Sequence, residues 1–254
     1  DYCYSITPAL VCNEKIKAEM FNLLHEHNDF ILIVKAADVS FHRDTEESGL
    51  VQAVRSALGR EELYSVHRLD KITSGLLLFA KNRDAAQQLS SMFRNKQLEK
   101  YYLAISDRRP NKKQGLVKGG LVKSRRVGWK LTRTLEHASV TQFFSYPIGG
   151  GLRLFILKPH TGKTHQLRVV MKSLGAPILG DPIYHGKEPG EKEPDRGYLH
   201  SYALRFTYKD ELFEFLQKPD SGELFLNESF NNALRQCERP WELTWPALKQ
   251  GFSN

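Results

Sequence analysis

Asp70 is the residue around which a reaction is most readily built. It lies in Val66–Lys81, VHRLDKITSGLLLFAK, beside His67 and Arg68 and ahead of Thr73-Ser74-Gly75 and the apolar run Leu76–Ala80. The run reads as a short core strand whose start is fixed by turn-forming residues, so Asp70 stands near the strand's entrance. A carboxylate there can act as a nucleophile or assist proton removal. Taken alone, it could equally pair with Arg68 or cap a local turn. A second stretch, Lys158–Tyr184, has the same character: Gly162 opens a helical run through His165, Leu167, Arg168 and Met171, and Gly175 sits where a helix would be capped. Arg168 on such a helix would ordinarily be a surface cation. Tyr101 and Tyr102 share a strand-like run to Ile105, where alternation puts one ring on each face and the residues alone do not choose between them.

The elements that must carry these residues alternate between helix and strand. Glu14 to His27 sets Ile16, Met20, Leu23 and Leu24 on one helical face, and Phe30–Val34 follows as a buried strand. Ser48 is expected to cap a helix through Leu50, Val54 and Leu58 that ends at Gly59, and Asp84 to cap one carrying Leu89, Met92 and Phe93. His137–Tyr146 and Leu152–Leu157 flank Gly149-Gly150-Gly151, a hairpin turn that needs positive φ. Beyond Lys218 a short helix near Glu228–Gln236 and the apolar anchors Trp241 and Trp245 are expected.

Taken together, HRLD-x-x-TSG at His67–Gly75 and GKTHQLRV at Gly162–Val169 resemble the RluA-type family of RNA pseudouridine synthases. In that family the first motif carries the catalytic aspartate, and a GRTHQ(I/L)RV motif supplies an arginine. The resemblance runs from Asp29 to Phe206 and takes in Asp29–Lys35 (DFILIVK) as the opening strand, Lys100–Ala104 (KYYLA) as the tyrosine-bearing strand and Leu199-His200. Two positions depart from the pattern. Ala36 stands where a proline usually follows the lysine, and Val170 where the arginine helix often has histidine.

The resemblance implies an α+β (mixed α/β) catalytic fold, a largely antiparallel mixed sheet with flanking helices and a central active-site cleft. It implies domain bounds of 1–28 for a helical extension, 29–217 for the catalytic domain and 218–254 for an extension packed on it. It makes Asp70 catalytic and Arg168 the partner of its charge. Tyr102 becomes the ring that stacks on the detached base, Arg68 the residue that fills the space left by a flipped nucleotide, and His67 a residue that orients the loop. Isomerising uridine involves no redox step, so neither cofactor nor metal is expected. The other class compatible with the residues is a non-catalytic RNA-binding or RNA-folding factor on the same scaffold, which would have no use for Asp70, Tyr102 and Arg168.

Charge points to nucleic-acid binding independently of that resemblance. Arg108–Thr134 holds ten basic residues and no acidic one, so its +10 exceeds the whole chain's +8. Interleaved glycines and Trp129 suggest loops or a hairpin, and Lys123, Arg125, Arg126 and Lys130 are the expected RNA contacts. A charge run of this kind otherwise serves as a solvated face.

At 254 residues and 41% hydrophobic content the chain can bury one large core. Its three cysteines lack metal-ligand spacing, and no segment approaches the roughly 20 apolar residues that span a bilayer. A cytoplasmic monomer is the expectation. Competing motifs fail: the Gly162-Lys163-Thr164 triplet lacks the earlier P-loop glycine, since Leu157 holds that place, and no Asp-Phe-Gly triplet supports a kinase.

Overall fold

The computed structural model describes residues 20–40, 49–125, 127–186, 190 and 192–248. They form two compact units that divide between Phe93 and Arg94, and all strand pairings within each unit are antiparallel. The architecture is α+β, as expected.

In the first unit β1 (Phe21–Glu26), β2 (Phe30–Lys35) and β4 (Thr73–Ala80) lie side by side, and β3 (Tyr64–Ser65) pairs with the far end of β4. Every residue of β2 and β4 is buried, which explains their unbroken apolar runs. Helices α1 (Gly49–Leu58) and α2 (Arg83–Arg94) bury Leu50, Val54, Ala85 and Leu89. Gly59 ends α1 at φ +60°, as the sequence predicts, whereas Ser48 lies outside the described residues. The cap of α2 is Asn82 instead of Asp84: its Oδ1 accepts the Ala85 amide at 2.8 Å, and Asp84 sits inside the first turn.

Of the helix expected over Glu14–His27, residues 14–19 lie outside the described residues, Met20 is helical, and Phe21–Glu26 form a strand. Residues 21–26 satisfy the open edge of β2, with a bulge between Leu23 and His25 that breaks the two-residue period. Leu23 and Leu24, expected on a helix's buried face, are 38% and 40% exposed. The same segment accounts for Ala36. Its amide donates to Met20 O at 2.9 Å, a bond that the family's usual proline cannot make.

The second unit is a continuous ladder ordered β11 (Glu211–Leu216), β10 (Leu199–Tyr208), β5 (Glu99–Ser106), β9 (Leu152–Pro159), β8 (Ser139–Gly149), β6 (Gln114–Lys123), β7 (Trp129–Thr132). The β8–β9 turn has φ of +87°, +57° and +80° at Gly149, Gly150 and Gly151, as its hairpin requires. Helix α3 (Gln166–Ser173) is buried along most of its length, and Gly175 follows it at φ +75°. The tail adds α4 (Glu228–Leu234) and packs back on the sheet: Trp245 lies 5.9 Å from Tyr101 and 5.0 Å from Phe144, and Tyr202 donates to Glu238 O at 2.8 Å.

His200, wholly buried on β10, donates from Nε2 to Gln217 O at 2.8 Å, and burial pushes its pKa down to about 3. The folded state therefore binds fewer protons than the unfolded chain between pH 6.5 and 3, and stability should fall as pH drops through that window. By pH 4 the loss due to His200 is about 3 kcal/mol. Urea midpoints at pH 7, 5.5 and 4 should fall less steeply for His200→Gln than for the native chain; equal slopes would refute the assignment.

Candidate active site

Asp70 occupies a hydrogen-bonded turn, its carbonyl accepting the Thr73 amide at 3.0 Å just where β4 begins. Its side chain is half-buried, between exposed Arg68 and fully buried β4. Two side chains fix this loop. His67 continues the ladder where β3 stops: its Nε2 accepts the Leu78 amide at 3.0 Å, and its ring stacks on Phe93 at 4.4 Å. An imidazole that accepts through Nε2 is the neutral tautomer with its proton on Nδ1, so His67 works here as a main-chain acceptor. Lys35, fully buried at the end of β2, donates from Nζ to the carbonyls of Ala36 (2.8 Å), Val39 (2.9 Å) and Lys71 (3.3 Å). Lys71 directly follows Asp70, so the ammonium ties the turn to the neighbouring strand. The sequence reading does not single out Lys35, although a lysine closing an apolar strand beside a loop must find carbonyls or a counter-ion.

In the second unit the two tyrosines of β5 divide as alternation requires. Tyr101 is fully buried, donates to Glu99 Oε2 at 2.9 Å and lies beneath the tail tryptophans, with Lys158 Nζ 5.2 Å from its ring centre. Tyr102 is on the opposite face, in register with Leu157 and Ser201. Lys100 shares that face, and burial lowers its pKa to about 8.

Arg168 is buried, not a surface cation. Its Nε donates to Asp181 Oδ2 at 2.6 Å and one Nη to Oδ1 at 2.9 Å, a two-pronged ion pair with 5% and 0% side-chain exposure. Asp181 also accepts the Ile183 and Tyr184 amides at 2.9 and 3.1 Å, and the Tyr184 ring lies 5.1 Å from the guanidinium carbon. Sequence reasoning misses Asp181, whose Gly-Asp-Pro setting reads as a turn. The usable signal is that an arginine inside an apolar helix demands a buried carboxylate.

The rest of the motif shapes the loop ahead of α3. Gln166 Oε1 accepts from Thr161 Oγ1 (2.7 Å) and the Lys163 amide (3.1 Å), while its Nε2 donates to Val140 O and Thr141 Oγ1 at 3.2 and 3.0 Å. His165 adopts a left-handed conformation, φ +55°, and its Nδ1 meets Tyr184 Oη at 2.9 Å. His160 contacts Gln142 Oε1 at 2.6 Å; burial, reinforced by Lys158, pushes its pKa to about 4. No group of three His, Cys, Asp or Glu among the described residues could hold a metal ion, and no described helix is long and apolar enough to cross a membrane.

The basic segment is a hairpin, as expected. Strands β6 and β7 pair from Gly120↔Thr132 to Lys123↔Trp129, and the Ser124 amide closes the turn on Gly128 O at 2.9 Å. Lys123, Arg125 and Lys130 are exposed; Arg126 lies outside the described residues.

The family described as RNA pseudouridylate synthase matches residues 29–173. An uncharacterized RNA pseudouridine synthase of Haemophilus influenzae is 45% identical over 204 residues, covering 80% of this chain and 90% of that protein. Ribosomal large subunit pseudouridine synthase C of Rickettsia bellii is 36% identical over 168 residues, 64% of this chain and 56% of its own length. Among solved structures, human RNA Pseudouridylate Synthase Domain Containing 1 superposes with a TM-score of 0.65 at 26% identity, covering 80% of this chain and 85% of that one.

Proposed function

The chain belongs to the RNA pseudouridylate synthase family and is an isomerase acting on RNA; on that premise we propose that Asp70 is its catalytic carboxylate and that its substrates are particular uridines in structured ribosomal or transfer RNA. The reaction breaks the C1′–N1 bond, turns the uracil and joins C5 to C1′; the C5 proton is released and N1 gains one. Asp70 begins it by attacking C1′ or by taking a proton from C2′, and either route needs the ionised carboxylate beside the ribose. The observation that carries this reading is Asp70 on a pinned turn at the head of a fully buried strand, inside the segment the family matches.

Roles for the other residues follow. Tyr102 stacks on the base while it turns. Arg168 is the arginine that the second motif brings to the reaction, its own position fixed by two bonds to Asp181. Arg68, exposed beside Asp70, fills the gap left when the target nucleotide flips out of its helix. His67 orients the loop. The protein works as a cytoplasmic monomer without metal or cofactor.

The deciding experiment uses RNA labelled with tritium at uridine C5, made in cells that lack this protein. Incubation with the purified chain should release tritium to water; RNA that binds tightly yet releases none would overturn the catalytic reading.

The basic hairpin is the proposed backbone contact. Replacing Lys123, Arg125 and Lys130 with Gln should weaken RNA binding and lower the slope of log affinity against log salt by about one for each phosphate that is no longer neutralised. A variant slope equal to the native one would remove the hairpin from the RNA interface.

A further inference from the structure

Tyr184 stands where three parts of the second unit meet. It is 4% exposed, and its Oη accepts the Trp129 amide at 2.7 Å, at the point where the basic hairpin enters β7. The same oxygen lies 2.9 Å from His165 Nδ1, a hydrogen bond whose direction the imidazole tautomer sets. The ring faces the Arg168 guanidinium at 5.1 Å and Lys172 Nζ at 5.7 Å, and the Tyr184 amide is one of the donors that hold Asp181. The fit at the hairpin is close. A Cβ on Gly128, whose φ is +85°, would come within 2.8 Å of both Tyr184 Oη and Ile183 Cγ2.

We propose that Tyr184 is a positioning residue that joins the RNA-docking hairpin to the arginine helix, its hydroxyl seating the hairpin on His165 and its ring covering Arg168. The two halves of one side chain then serve separate steps. The hydroxyl sets how well RNA is gripped, and the ring sets how Arg168 is held during the reaction. This rests on the preceding assignment of the hairpin to RNA and of Arg168 to the reaction.

Single-turnover tritium release and filter binding separate the halves. Tyr184→Phe keeps the ring and removes both hydroxyl bonds; the RNA concentration at half-maximal rate should rise about threefold to tenfold, the yield of one or two net hydrogen bonds, with the maximal rate within about twofold of native. Tyr184→Leu should show the same weaker grip and, in addition, a maximal rate at least about tenfold lower. In the background of Lys123→Gln and Lys130→Gln the Phe substitution should add little, because the hydroxyl acts through the hairpin.

An unchanged half-maximal concentration for Tyr184→Phe, a defect confined to its maximal rate, or full additivity with the hairpin substitutions would each overturn the proposal. Filter binding needs no turnover. A native chain that releases no tritium would therefore overturn the catalytic reading while the Phe variant's affinity still judged the hydroxyl, and an active native chain with an indifferent Phe variant would overturn this proposal alone.

Discussion

Asp70→Asn should abolish tritium release from C5-labelled RNA, by about a thousandfold or more, while RNA affinity stays within about twofold. The substitution keeps size, shape and the backbone turn to Thr73, and removes the charge that is proposed to attack C1′ or take the C2′ proton. Lys35 holds the loop through the Lys71 carbonyl and His67 through the Leu78 amide, and both bonds remain in the variant. Single-turnover assays at saturating RNA, with filter binding alongside, separate the two quantities. A comparable drop in binding would mean that Asp70 serves to hold RNA and that the catalytic group lies elsewhere.

The second large effect concerns stability. Asp181→Ala should destabilise the protein by about 3–5 kcal/mol, since it takes the paired carboxylate from a buried guanidinium and the acceptor from the Ile183 and Tyr184 amides. Asp181→Asn should cost less, because its amide oxygen can still accept from the backbone. Replacing both partners by apolar residues, Arg168→Met with Asp181→Leu, should recover much of that stability and none of the activity. Urea denaturation of the three variants measures this. An Asp181→Ala cost below about 1 kcal/mol would show that the pair is solvated and that Arg168 is not held by it.

Much of this protein is legible in its sequence where one physical cause dominates. The unbroken apolar runs of Phe30–Val34 and Leu76–Ala80 read as buried strands, and three successive glycines after Ile148 read as a hairpin turn, and both are so. The segment before Asp29 misleads because apolar residues at helical spacing fall short of a full helix, and the open edge of β2 offers hydrogen bonds that outweigh the pattern. Asn82 takes the cap from Asp84 because capping depends on which residue precedes the first helical turn, and one position decides it. The site divides in the same way. The motifs single out Asp70 and Arg168 as the proposed pair, whereas Asp181, Tyr184 and Lys35 make their contacts with residues distant in sequence or with main-chain atoms, which no local pattern displays.

The Lys35 clamp carries a consequence for how this loop can vary. Its ammonium reads three carbonyl oxygens, and a carbonyl is the one group that every residue supplies. Ala36, Val39 and Lys71 can therefore change identity without loosening the clamp, provided the backbone keeps its course. A loop fastened in this manner can be re-lettered beside Asp70, trying new contacts with new partners, while a single lysine inside the protein keeps its shape.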